Sequence, residues 1–533
     1  MLAQLLDVFA LLSVILRGGA LASHALVLGG AVFMLWMLRG LPCGPATAAI
    51  SRSCRRLISW SAVAFVLMQA CYLAADAAIL AGTANLGLRD ITGAHFFIAG
   101  LAGICAAAAV AVVTMRGNGE HSFRLLALPV ISLGALVMTS HAPGRLDHRW
   151  ALCILNALHQ SATALWIGAM PYLVLGLAKS PDPGVARLLC RRFSRLSLIS
   201  VGTLIASGLA MSLAYVGSFE AIYGTAYGAM VASKVALLGV LLVLGALNFL
   251  TTRLPPAATA LLLPRLSSLA EAEIGIGFTV IFAAASLTSL PPAVDLRADR
   301  VSAAEIVNRM SPRWPRLHTP TLSGLSPPTP LGSDGAGASY IANTSGDIAW
   351  SEYNHHWAGL IVLIAGLLAV LSRSSKVGWA RHWPLAFLGL AVFLFVAADP
   401  ENWPLGPRSF WQSFTVSEVL QHRLFVLLIV AFAGFEWSVQ TGRIISPYAR
   451  LVFPSVCAVG GALLLTHSHS LGNTKEELLA ELSHTLVAIF GVTAGWARWL
   501  ELRIPPGHQR IPAWIWPVCF ALIGLVLLNY RES

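Results

Sequence analysis

Apolar residues recur along nearly the whole chain in runs of about 20, each long enough to cross a hydrocarbon core of about 30 Å as a helix. The runs predict about fourteen transmembrane helices. Eight are expected at roughly Gly18 to Leu38, Leu57 to Leu80, Ile91 to Met115, Phe123 to Ser140, Trp150 to Leu177, Phe193 to Val216, Tyr227 to Leu250 and Leu269 to Leu290. A stretch rich in Pro, Ser, Thr and Gly, from Pro291 to about Asn354, then breaks the pattern and reads as a loop or linker. Six further spans follow, at about His356 to Leu371, Pro384 to Ala397, Val419 to Val439, Leu451 to Thr466, Leu478 to Trp499 and Ile511 to Leu528. The expected fold is all-α, a polytopic membrane helical bundle of 8 + 6 spans. Its expected parts are residues 1–292, a linker 293–354, and residues 355–533.

Composition agrees with the pattern: 57% of the 533 residues are apolar and only 11% charged, against about 25% charged in globular proteins. That excludes an ordinary soluble enzyme. The net charge of +11 would suggest a nucleic-acid partner, but no basic amphipathic helix or aromatic RNA-binding motif accompanies it. Its location gives the better explanation. Assigning alternate loops to opposite sides places 21 of the 35 Lys and Arg residues on the face holding the Arg39–Arg56 loop. Only Glu120, Asp182, Glu271, Glu273, Glu436 and Glu501 join them, a net of +15 against −4 elsewhere. By the positive-inside rule both termini and the Pro-rich segment face outward, and the opening apolar segment, interrupted by Arg17 and lacking an A-x-A cleavage site, stays as an anchor. The eight cysteines include no C-x-x-C pair and none lies in the outer segment, which argues against a disulfide framework and an all-thiolate metal site.

Twelve of the fifteen histidines fall in outer loops or the outer halves of spans. Imidazole is the commonest metal ligand, and an ionisable side chain inside a bilayer is a functional candidate by default. In the eight-span block the candidate ligands are His24, His95, His141 and His159, with Met138 as a soft thioether three residues before His141. His159 is expected about 13 Å below Trp150, near the membrane middle. Asn156 and Thr163, at i−3 and i+4 on the same face, are the two candidates of which one is expected to orient its ring. Lys234, two turns into its span, is a further intramembrane charge, read either as a snorkelling side chain or as an anion or gating contact. In the six-span block the candidates are His355, His356, Asp399, Glu418, His422, His467, His469 and His484. Glu418 and His422 stand at i,i+4 on one helix face, and mixed carboxylate and imidazole donors suit a divalent ion or Cu(II).

Thr139-Ser140-His141-Ala142, the run Leu158 to Gly168 (LHQSATALWIG), Arg192-Phe193-Ser194-Arg195-Leu196 and Thr288-Ser289-Leu290-Pro291-Pro292 together resemble the copper resistance protein D (CopD/PcoD) family of bacterial inner-membrane proteins. The likeness covers the eight-span block. It departs from the family pattern at Ala169, where a second glycine is expected after Trp166-Ile167-Gly168. The resemblance implies copper movement across the inner membrane, with the copper ion as cargo and a periplasmic CopC-like copper-binding protein as partner.

The leading expectation is therefore copper transport or handling: capture at the outer face by histidines, transfer to His159, then passage inward. No G-x-x-x-x-G-K-[ST] loop, nucleophile elbow or HExxH helix is present, so the chain is read as not an enzyme. The alternative is a membrane cytochrome holding haem b between paired histidines from among His24, His95, His159, His422 and His484.

Overall fold

In a bilayer every backbone N–H and C=O must be satisfied within the segment, so long apolar runs fold as helices. The computed structural model describes residues 2–84, 86–116, 122–180, 182–296, 300–322, 324–325, 344–374, 376–466 and 475–532. No β-sheet forms among them, only an isolated bridge between Asn402 and Arg408. The main helices before residue 300 are α1 (Leu2–Val32), α2 (Pro45–Thr83), α3 (His95–Met115), α4 (Ser122–Met138), α5 (Arg149–Thr163), α6 (Met170–Lys179), α7 (Pro183–Tyr215), α8 (Ala226–Arg253) and α9 (Pro256–Ser286). Those after it are α10 (Ala303–Met310), α11 (Ser345–Leu371), α12 (Ala386–Ala397), α13 (Ser417–Gln440), α14 (Val452–Thr466), α15 (Lys475–Arg503) and α16 (Arg510–Leu528). Among the described residues 13 helical segments are long and apolar enough to cross a membrane, and the shorter apolar Arg124–Met138 lies where the fourth span was expected.

Two compact units divide the chain: Val8–Ile222 with Tyr227–Ala298, and Met1–Asp7 with Tyr223–Ala226 and Asp299–Ser533. The first unit holds the eight-span block. Within it Arg17, 2% exposed in α1, donates to Thr139 Oγ1 at 2.8 Å and to the Leu136 carbonyl at 3.0 Å. A cation thus satisfies carbonyls at the α4 C-terminus, where the helix dipole favours positive charge. α5 and α6 are joined by a π-helical segment, Ala164–Gly168, into one long span. Gly168 is required there because a Cβ would lie 2.0 Å from the Ala25 carbonyl oxygen of α1. Ala169 is fully buried, so the departure from a double glycine is absorbed by close packing. Outside, α7 presents Leu198, Ile199, Leu209 and Leu213, all exposed, as a lipid-facing surface requires.

The second unit is built on an aromatic core in which Trp383, Phe453, Trp516 and Phe520 interlock, with Trp383 and Phe453 ring centroids 5.3 Å apart and Phe453 and Trp516 5.4 Å apart. α11 and α16 approach through small residues: a Cβ on Gly366 would lie 2.5 Å from the Ala521 nitrogen. Two expectations change here. α11 starts at Ser345, some ten residues before the apolar run, because Thr344 and Asp347 form a capping box that starts the helix in polar sequence. The Pro-rich stretch is not loop throughout: Ser302 and Glu305 cap α10, and Arg309 of that helix donates to the Arg531 carbonyl at 2.5 Å.

Candidate copper-handling sites

His159 lies on α5 with its Nδ1 3.1 Å from Ser207 Oγ of α7. The Ser207 hydroxyl already donates to the Thr203 carbonyl at 2.6 Å, so it accepts from the ring and Nδ1 carries the proton. The lone pair is therefore on Nε2, the nitrogen a metal ion would take. Gly208 lets α7 come this close, since a Cβ there would stand 3.2 Å from His159 Cε1. The expected orienters do other work. Thr163 Oγ1 donates to the His159 backbone carbonyl at 2.9 Å, the usual back-bond of a helical threonine. Asn156 donates to Ser140 Oγ at 2.8 Å and accepts from Gln160 at 3.0 Å. Ser207 is 48 residues away in sequence, and neither its type nor its spacing announced the contact. Lys234 of α8 is near enough to act electrostatically on His159.

Further along the same unit, a cavity of about 270 Å³ is lined by Trp166, Cys190, Ser197, Asn248, Phe249 and Glu273, among others. Glu273, 2% exposed, accepts from Asn248 Nδ2 at 2.5 Å. Asn248 Oδ1 and Ser197 Oγ are buried without a hydrogen-bond partner among the described residues, so the cavity keeps polar capacity in a largely apolar wall. Sequence reasoning counted Glu273 only among the acids of the Arg-rich face; α9 carries it into the wall of this cavity. Glu436, counted with the same face, is 1% exposed on α13 and accepts from Gln440 Nε2 at 2.6 Å.

The other candidates of this unit stand apart from His159's contacts. His24 is buried and its Nε2–H donates to the Pro129 carbonyl at 3.0 Å, a clasp between α1 and α4. His141 Nε2–H likewise donates to the Leu287 carbonyl at 2.9 Å. His95 is the first residue of α3 and is exposed, rather than a turn inside it, because the chain breaks from helix at Ala94. Met138 ends α4 and is half-buried, so it and His141 do not share a helix face.

In the second unit two pairings form. Asp399 Oδ1 accepts from His422 Nδ1 at 2.7 Å, the arrangement by which a carboxylate fixes a metal-binding imidazole. Asp399 thus meets the ring of His422 where a ligand role of its own was expected. His355 donates from Nδ1 to the Ser351 carbonyl at 2.8 Å, stacks on Tyr530 at 3.8 Å, and has its ring centroid 5.8 Å from that of His484. Burial holds the Tyr530 phenol above its ordinary pKa, so it stays neutral beside them. His356 differs: Nδ1 accepts from the Arg316 N–H at 2.8 Å and Nε2–H donates to the Tyr530 carbonyl at 2.9 Å. Both nitrogens are consumed by backbone, which leaves no lone pair for an ion and corrects the expectation for that residue. The Glu418 side chain, His467 and His469 lie outside the described residues. Among the described residues no three His, Cys, Asp or Glu side chains gather in metal-binding geometry.

Helices, spans and the absence of sheet among the described residues define a multi-pass helical membrane protein. Residues 187–287, a stretch that includes Ser207, Gly208, Asn248 and Glu273, match the family model described as Copper resistance protein D. The chain is also 31% identical over 186 residues to Copper transport protein CutJ of Bacillus subtilis (strain 168), a match covering 34% of this chain and 33% of that protein. The match therefore spans about a third of that relative's length. No solved structure matches.

Proposed function

We propose that this protein moves copper across the bacterial inner membrane, taking the ion from the periplasmic face and passing it inward through the eight-span unit. The observation that carries this reading is the fixed ring of His159, whose Nδ1–H is held by Ser207 while Nε2 keeps its lone pair inside a helical bundle. Supply from a CopC-like periplasmic protein would suit the outer histidine pairs, His355 with His484 and His422 with Asp399, as places of capture. From His159 the ion would continue toward the Glu273 cavity, where a carboxyl, an amide oxygen and the Cys190 thiol offer oxygen and sulfur donors. Membrane potential alone supplies about 2.3 kcal/mol per charge per 100 mV to an inward-moving cation.

Metal and haem analysis of the purified protein tests the reading. Copper retained through dialysis with no Soret band supports it. A bis-imidazole haem spectrum and no copper would replace it with the cytochrome reading.

A further inference from the structure

The second unit contains a small polar pocket of about 80 Å³, lined by Arg313, Trp314, Arg316, Glu352, His356 and Arg531 among others. Glu352 and His356 of α11 line it, together with the segment that follows α10 and the segment that follows α16. Among its described lining residues three arginines stand with one carboxylate, Glu352. Glu352 is already committed: Oε2 is 3.0 Å from Arg316 Nε, and Oε1 accepts from the Glu532 N–H at 3.3 Å. His356 bonds backbone groups at both its nitrogens, so neither is left for a ligand.

The arginines are held by their neighbours in a way that leaves donors over. Arg531, 8% exposed, donates from Nη1 to the Asn308 carbonyl at 3.1 Å and from Nη2 to the Ser311 carbonyl. Arg313 donates from Nη2 to Asn308 Oδ1 at 3.2 Å. These contacts go to neutral oxygens, so they orient the guanidinium groups without neutralising them. Burial, and after it the positive charge of Arg313, lowers the Arg531 pKa from its ordinary value, while Glu352 raises it. A partly desolvated group of cations with one spent counter-ion is stabilised by an anion that accepts several N–H bonds at once.

We infer that this pocket binds a phosphate-class oxyanion, either free phosphate or the phosphate of a lipid headgroup. Arg313 and Arg316 supply the remaining guanidinium donors, and Arg531 supplies buried positive charge behind them. Leu528, the last residue of α16, lines the pocket, which puts it at the end of a span, where lipid phosphates lie.

The test uses the full-length protein in detergent, titrated calorimetrically with inorganic phosphate, and in parallel scored for retained phosphatidylglycerol by native mass spectrometry. Arg313→Gln is the comparison, because Arg313 bonds only the Asn308 side chain in the described contacts and its loss spares the Arg316 and Glu352 pair. Saturable phosphate binding weakened about tenfold or more in Arg313→Gln supports a free oxyanion site. Phosphatidylglycerol retained by the native protein and lost in the variant, with no response to phosphate, supports a headgroup site. Arg313→Lys should keep part of the binding in either case, and an unchanged thermal midpoint in both variants shows that the fold persists. Equal behaviour of native protein and Arg313→Gln toward both probes overturns the proposal.

Discussion

Ser207 faces His159 as an acceptor: its hydroxyl donates to the Thr203 carbonyl at 2.6 Å, and its oxygen lies 3.1 Å from the ring's Nδ1. The hydroxyl therefore selects one tautomer and one ring orientation on a neighbouring helix. Ser207→Ala removes this acceptor and leaves the ring with the Leu204 carbonyl, its backbone partner. Outer-sphere partners of metal-binding histidines typically contribute about 10- to 100-fold in affinity or activity, and a fall of that size in copper uptake is expected with normal membrane insertion. Uptake of radioactive copper into proteoliposomes measures it; Ser207→Thr, which keeps the hydroxyl, should retain more activity.

Lys234 acts on the same imidazole from α8. An ammonium group near a bound copper ion repels it, which weakens binding but hastens release. Lys234→Met should therefore bind copper about tenfold more tightly and turn over more slowly, opposite changes that equilibrium dialysis and uptake rates separate.

Glu273 is enclosed with Asn248 in the cavity of the first unit. Glu273→Gln keeps the shape and removes the ability to carry negative charge. If the carboxylate meets the ion on its inward path, uptake falls at least about tenfold while the thermal midpoint stays within a few degrees of the native value, since no ion pair involving Glu273 is present among the described residues.

His356 is predicted to act structurally. Both ring nitrogens bond backbone groups, one on the segment before α11 and one after α16. His356→Ala should lower stability by about 1–3 kcal/mol for the buried groups left unpaired, while copper stoichiometry is unchanged. Denaturation in detergent with metal analysis of the same sample checks both halves. Asp399→Asn should do the reverse, lowering metal content at His422 more than it lowers stability.

The spans were legible because apolar runs depend on local composition, which a bilayer enforces segment by segment. Residues such as Arg17 and Glu273 were not, because their roles depend on which helix arrives opposite them: the α4 C-terminus for one, Asn248 for the other. The histidines show the same division. His159 could be singled out from its position in an apolar run, yet Ser207 could not, and nothing in the sequence distinguishes His356, bonded to backbone at both nitrogens, from His355 or His422, bonded at one. Residue type and depth nominate an imidazole; only its hydrogen-bond partners say which nitrogen remains for an ion.

The central claim, that copper crosses the first unit by way of His159, is tested most directly in vesicles of known orientation loaded with native protein or His159→Ala. Native protein should accumulate copper from the outer face, and His159→Ala, inserted in equal amount, should fall to the level of empty vesicles. Uptake by the variant equal to that of the native protein would contradict the account.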